Sequence, residues 1–153
     1  MQLDLIKVSE VNIYVQKLNY WLKESLPFPD EAIRNYNNIW NEDFVNSNLN
    51  KAVFIGAWEK NQLIGLVLGT NIEGGVGTII WVLVDSKFHK KGIGSKLIKM
   101  SLNIYKKRGA HKVKLTVPEK ETVKFYEKQG MNVEGVFKNH WWNMDFWSMG
   151  KTI

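Results

Sequence analysis

The spacing of apolar residues changes near residue 51, so the first third of the chain is predicted to be helical and the rest to contain a sheet. One helix is predicted from a Ser9 cap to about Ser25, and a second begins at Asp30. "LPFPD" separates them, because proline lacks the amide donor that a helix needs. Their apolar faces are formed by Val11, Tyr14, Val15, Leu18 and Leu22 in the first helix and by Ile33, Tyr36 or Asn37, Trp40 and Phe44 in the second.

Three short apolar runs follow this region. "AVFIGAW" and "LIGLVLGTN" are separated by "EKNQ", which predicts a β-hairpin. The third run, "TIIWVLV", is continuously apolar, which is typical of a strand buried on both faces.

The last third alternates between helix and strand patterns. Residues 92–108 form a predicted helix that stops at Gly109. "HKVKLTV" predicts a strand, "KETVKFYEKQG" a second short helix, and "MNVEGVF" and "MDFWSMG" two closing strands around the loop "KNHWWN". Since no repeat or linker interrupts these elements, we expect a single α+β domain over residues 1–153.

Composition excludes several classes of protein. With 153 residues, 44% of them hydrophobic, and seven Trp, the chain can form one packed core. Because Cys is absent, disulfide scaffolds, thiolate nucleophiles and thiolate metal sites are excluded. The three His are dispersed, so no metal is expected.

Location and partners are only partly indicated. No apolar run reaches the roughly 20 residues of a membrane span, and the first residues lack the pattern of a signal peptide, so we expect no membrane contact and a cytoplasmic protein. The net charge of +6 fits either a phosphate-rich partner or a soluble surface. It is too weakly clustered to favour a nucleic-acid-binding protein.

The stretch "FHKKGIGSKL" has the pattern of an anion site. The first N–H groups of a helix have no intrahelical partner, and glycines allow an anion to approach the backbone closely. Lys90, Lys91 and Lys96 could add charge. The spacing does not fit a P-loop, and Leu97 stands where a dinucleotide fingerprint needs its third glycine. From these residues alone, a simple turn before an ordinary helix is favoured over an anion site.

Two longer stretches carry a family resemblance. "VLVDSKFHKKGIGSKLI" resembles the acetyl-CoA-binding segment of the GNAT superfamily of N-acetyltransferases, with His89, Gly92 and Gly94 at the positions of its Gln/Arg-x-x-Gly-x-Gly/Ala motif. "VPEKETVKFYEKQGMNVEG" resembles the second signature of that family. His89 replaces the usual Arg or Gln, and Glu119 replaces a frequent Asn. The resemblance covers residues 51–153 and implies a mixed, mostly antiparallel central sheet, flanked by helices on both faces, with a splayed strand pair that holds the cofactor.

The resemblance also implies roles for single residues. The backbone of Val82, Leu83 and Val84 would pair with the pantetheine arm of acetyl-CoA, and Glu119 would contact that arm or the acetyl group. Tyr126 would protonate the leaving thiolate. The pyrophosphate would be held by backbone groups of His89, Lys90, Lys91, Gly92, Ile93, Gly94 and Ser95.

The implied reaction is transfer of an acetyl group to a primary amine of a small molecule or of a peptide or protein N-terminus. Deprotonating a lysine-like amine at neutral pH costs about 4.6 kcal/mol, whereas a peptide α-amine costs about 1.4 kcal/mol. "GTIIWVLV" contains no carboxylate, so a general base must come from elsewhere, such as Glu73 or Glu119, or act through water.

Several alternatives remain open at this stage. A domain of the same fold could bind CoA as a sensor or regulator without turnover. His140, Trp141 and Trp142 could line the acceptor site or simply pack in a closing hairpin, and Trp40 and Phe44 carry the same ambiguity. Members of the family often dimerise, so a homodimer is compatible with the resemblance.

Overall fold

A computed structural model describes residues 1–5, 16–17, 20–24, 29–31 and 53–153. Most of the two N-terminal helices, with Trp40 and Phe44, therefore lies outside the described residues; residues 16–17, 20–24 and 30–31 are helical. The later elements are β1 (Gln2–Leu5), β2 (Val53–Glu59), β3 (Gln62–Gly69), β4 (Val76–Val84), α1 (Ile93–Lys107), β5 (Lys112–Val117), α2 (Lys120–Glu127), β6 (Asn132–Phe137) and β7 (Phe146–Thr152).

The seven strands form one sheet in the order β1-β2-β3-β4-β5-β7-β6. β4 and β5 are parallel, and the other neighbouring pairs are antiparallel. This confirms the mixed, mostly antiparallel α+β fold. β1 had no counterpart among the predicted strands; its four residues extend the sheet by pairing with β2.

The predicted hairpin around "EKNQ" is confirmed. β2 ends at Glu59 and β3 begins at Gln62. Lys60 and Asn61 connect them with φ of 49° and 64°, the left-handed pair that a two-residue hairpin turn requires.

α1 packs against one face of the sheet with the apolar stripe that its sequence predicts. Ile93, Leu97, Ile98 and Tyr105 are buried along it, and Gly109 ends the helical region with φ of 88°. The Tyr105 hydroxyl lies 2.8 Å from the Thr70 carbonyl oxygen and 3.1 Å from that of Thr78, and so joins α1 to the base of β4.

The buried apolar residues fall on two faces. One cluster lies beneath α1 and α2 and includes Ile55, Ile79, Val113 and Met149. A further set of buried residues lies outside that cluster: Trp21, Leu22, Phe54, Leu63, Leu66, Leu68, Trp81, Leu83 and Phe146. The sheet is thus covered on both faces. Among the described helices, none is long and apolar enough to cross a membrane.

Candidate active site

β4 and β5 separate partway along the sheet. They pair only from Val76 to Thr78 on β4 and from Lys112 to Lys114 on β5. Beyond these residues β4 continues along β3 to Val84, while β5 continues along β7 to Val117. The two strand ends therefore enclose a wedge-shaped gap, the splayed pair that the resemblance implied.

A β-bulge lies where the gap opens. Leu68 pairs with Trp81 and Gly69 with Ile79, so Ile80 has no partner on β3. Ile79 packs in the cluster beneath α1, whereas Trp81 is buried outside that cluster. The extra residue thus shifts the side-chain alternation of β4 by one position. This shift accounts for the continuously apolar sequence "TIIWVLV" of this strand.

A cavity of about 1090 Å³ fills the gap. Its walls are residues 78–84, 88–90, 92–95 and 116–119, with Glu121, Thr122, Phe125, Tyr126, Trp141 and Phe146. The predicted site residues on β4, at the start of α1 and on α2 therefore surround one space. Lys91 is the exception, since its ammonium lies over the Phe88 ring, 4.8 Å from the centroid, outside this lining.

The register on β4 decides which backbone groups face the gap. The Asp85 N–H donates to the Ile64 carbonyl at 2.9 Å, and Val84 is paired with Gly65. In an antiparallel ladder this pattern directs the N–H and C=O of Leu83 toward β3 and those of Val82 and Val84 away from it. Val82 thus offers its N–H and C=O to the cavity, and Val84 offers its N–H, because the Val84 carbonyl accepts a hydrogen bond from His89. Leu83 contributes to the wall of the cavity.

The start of α1 has the geometry of an anion site. Gly92 has φ of 75°, caps the helix without a side-chain hydrogen bond, and accepts the first helical bond from the Lys96 N–H at 3.2 Å. The N–H groups of Ile93, Gly94 and Ser95 precede that bond and have no helical acceptor. A Cβ added to Gly94 would lie 3.2 Å from the Phe125 ring, so glycine keeps this wall open.

The loop before α1 is held to β4 by His89. Its Nε2 lies 2.8 Å from the Val84 carbonyl oxygen. Because a carbonyl only accepts, this nitrogen must carry the proton. Lys90 follows with φ of 60°, a left-handed conformation that is unfavourable for lysine.

α2 contributes the predicted proton donor. Tyr126 is buried and lines the cavity, and its ring lies edge-on to Phe125 with centroids 5.0 Å apart. Burial raises the pKa of Tyr126, so its hydroxyl is protonated at neutral and moderately alkaline pH. Gln129 joins the two helices by donating to the Ser95 hydroxyl at 3.0 Å.

The glutamates near the site differ in whether they line the cavity. Glu119 lines the cavity at the start of α2, makes no capping bond to that helix, and accepts from the Thr122 hydroxyl at 3.4 Å. Glu121 also lines the cavity. Glu73 is exposed in the turn before β4, outside the cavity lining. Of the two candidate bases, only Glu119 therefore reaches the cavity.

Sequence reasoning did not find Phe125 or Phe146 as cavity residues. Phe125 belongs to an amphipathic helix and Phe146 to a closing strand, so both have the pattern of ordinary packing residues. Phe146 is also remote in sequence from the other cavity residues. Among His140, Trp141 and Trp142, only Trp141 lines the cavity. In the described part of the chain, no group of His, Asp and Glu residues could hold a metal ion.

Comparison with known proteins agrees with this geometry. Residues 15–131 match the acetyltransferase (GNAT) family. No curated protein matches the chain.

Solved structures share the fold at low identity. A protein of Streptococcus mutans UA159 (smu.2055) is 21% identical, with a TM-score of 0.81 and 99% of each chain covered. The PaiA N-acetyltransferase of Thermoplasma acidophilum, solved with coenzyme A, is 17% identical, with a TM-score of 0.78 and coverage of 99% of this chain and 98% of that chain. A ribosomal-protein-alanine N-acetyltransferase from Brucella melitensis is 14% identical, with a TM-score of 0.75 and both chains fully covered at 100%. This chain belongs to the acetyltransferase (GNAT) family.

Proposed function

We propose that this protein is an acetyl-CoA-dependent N-acetyltransferase that acts on a primary amine. The observation that carries the proposal is the gap between β4 and β5, which combines three features in one cavity. These are the backbone N–H groups of Val82 and Val84 on the open edge of β4, the first N–H groups of α1, and the buried hydroxyl of Tyr126. Family membership and the coenzyme A found with a structural neighbour support it.

The residues present fit the cofactor. The N–H groups of Ile93, Gly94 and Ser95, at the positive end of the helix dipole, suit the pyrophosphate. The free edge of β4 suits an extended chain bearing amides, as an added strand would. Acetyl-CoA would supply the activated thioester.

The chain's own groups then serve the transfer. A backbone N–H of β4 would polarise the thioester carbonyl, an electrostatic contribution of about 3 kcal/mol per well-placed donor. The bond from the amine nitrogen to the acetyl carbon forms, and the carbon–sulfur bond breaks. The nitrogen loses a proton to Glu119 or to water, and the sulfur gains one from Tyr126.

The experiment compares wild type with Tyr126→Phe. Coenzyme A binding is measured by calorimetry, and thiol release from acetyl-CoA is measured with a panel of primary amines. We expect wild type to bind coenzyme A and to release thiol faster with an amine, and Tyr126→Phe to lose about 100-fold in turnover with unchanged coenzyme A affinity. Tyr105→Phe, which removes a buried hydroxyl outside the cavity, is the matched control and should keep its turnover.

Other outcomes would contradict the proposal in different ways. Coenzyme A binding without amine-dependent thiol release in the wild type would make the protein a CoA-binding sensor or regulator. Absence of coenzyme A binding would show that the cavity serves another ligand.

A further inference from the structure

The loop between β6 and β7, residues 138–145, has a defined internal structure. Asp145 accepts from the Lys138 ammonium at 2.8 Å and from the Asn139 N–H at 2.9 Å. The His140 N–H donates to the Met144 carbonyl at 2.8 Å, and the Met144 N–H donates to that of Trp141 at 3.0 Å. These bonds close the loop upon itself, so its side chains are presented in set positions.

The loop also contains backbone strain. Asn139, Trp142 and Asn143 have φ of 48°, 53° and 60°. Asparagine tolerates this region, but a left-handed tryptophan costs on the order of 1–2 kcal/mol. Such strain persists where surrounding contacts impose it, and it is concentrated at functional sites.

The strained loop places Trp141 at the edge of the cavity. Trp141 lines the cavity although the residue is 50% exposed. It lies edge-on to the buried ring of Phe146, with centroids 5.2 Å apart, and 4.6 Å from the His140 ring. A rigid aromatic ring that is supported from behind and open in front is a typical anchor for recognition.

Trp141 stands on the side of the sheet opposite the anion site. Trp147 packs against the cluster beneath α1 and α2. Phe146, its neighbour along β7, is buried outside that cluster, because successive side chains of a strand alternate. Because Trp141 contacts Phe146, its ring borders the cavity from the face of the sheet opposite α1 and α2. A second substrate can approach the cavity from that face without crossing the anion site.

The charges of the loop indicate what the ring would bind. Asp145 is the loop's carboxylate, and the Lys138 and Asn139 hydrogen bonds lower its pKa and occupy its oxygens. A site for a polycation would offer an available carboxylate beside the ring. The two carboxylates that line the cavity, Glu119 and Glu121, belong to the start of α2 and not to this loop. The chain's net charge of +6 also disfavours polycations. The Trp141 ring therefore attracts an acceptor mainly as a flat apolar surface.

We propose that Trp141 is the acceptor-specificity residue, and that the acceptors are amines carrying an aromatic or other flat apolar group that stacks on its indole. This inference rests on the proposed acetyl transfer and names its substrate class. A small arylalkylamine and a peptide N-terminus with an aromatic first residue share this chemistry.

The test measures amine binding to the protein saturated with coenzyme A, so it does not depend on turnover. The probes are 2-phenylethylamine, the dipeptide amide Phe-Gly-NH2, propylamine and spermidine, titrated by calorimetry. We expect wild type to prefer one of the two aromatic probes, which identifies the source of the acceptor. Trp141→Ala should weaken that probe about tenfold, without changing propylamine or coenzyme A affinity. Trp141→Phe should keep most of the affinity.

Phe137→Ala is the matched control. Phe137 is 45% exposed and stacks on His140, but it lies outside the cavity lining, so its removal should leave amine binding unchanged. Equal wild-type affinity for aromatic and aliphatic probes, preference for spermidine, absence of amine binding, or equal losses for all probes in Trp141→Ala would each overturn the inference. Trp141-dependent aromatic binding without acetylation would support it while refuting the proposed function.

Discussion

The imidazole of His89 donates to the carbonyl of Val84, with 2.8 Å between Nε2 and the oxygen. This bond ties the loop that begins the anion site to Val84, the last residue of β4. A residue that departs from the family's usual Arg or Gln therefore has a positioning role of its own. It holds two parts of the proposed cofactor site at a set distance.

The first prediction concerns this bond. His89→Ala should weaken coenzyme A binding about three- to tenfold, because the net value of one hydrogen bond is about 0.5–1.5 kcal/mol. His89→Gln, whose side-chain amide can also donate, should recover part of the loss. Calorimetric titration with coenzyme A measures both. Wild-type affinity in His89→Ala would show that the loop is positioned without the imidazole.

The second prediction separates the two glycines of the anion site. Gly92 has φ of 75° and open space around its missing Cβ, so Gly92→Ala should cost about 1–2 kcal/mol of unfolding free energy through backbone strain alone. Gly94 is helical, and an added methyl group would crowd Phe125. Gly94→Ala should therefore mainly weaken coenzyme A binding. Urea unfolding and calorimetry on both variants check this, and a reversed pattern would contradict it.

The third prediction concerns the general base. If Glu119 accepts the amine proton, Glu119→Gln should lower turnover by about 100-fold, because the amide cannot accept that proton. Glu73→Gln, outside the cavity, is the control and should behave as wild type. Unchanged turnover in Glu119→Gln would assign the proton transfer to water or to another group.

The fourth prediction follows from the buried tyrosines. Burial raises the pKa of Tyr105 and Tyr126 above the usual 10.0. Below this usual pKa the tyrosine hydroxyls are protonated in both the folded and the unfolded chain. Their contribution to the free energy of unfolding therefore does not change with pH. Above the usual pKa the unfolded chain ionises first, so stability falls by about 1.4 kcal/mol per pH unit per tyrosine until the raised pKa is reached. Between pH 9 and 11, urea unfolding of Tyr105→Phe should show a shallower decline than wild type; equal slopes would contradict this.

Much of the fold could be predicted because it depends on the spacing of apolar residues and on turn residues within short segments of the chain. The hairpin at Lys60 and Asn61, the helix ending before Gly109 and the two closing strands all depend on residues adjacent in sequence. β1 was missed because four residues show too little periodicity, and it is recognised only through its pairing with β2. Gly92 to Ser95 and Tyr126, which line the cavity, could be proposed from sequence because each belongs to a contiguous motif.

The sequence alone thus determined the order of helices and strands from β2 onward, the glycine-bounded start of α1 and the family. Only the tertiary structure decided that β4 and β5 separate after Thr78, that Ile80 forms a bulge, and that Val82 and Val84 rather than Leu83 face the gap. It also decided that Trp141 meets Phe146 at the cavity. The physical reason is that strand register and contacts between distant segments depend on pairing partners, which the spacing of residues within one segment does not specify.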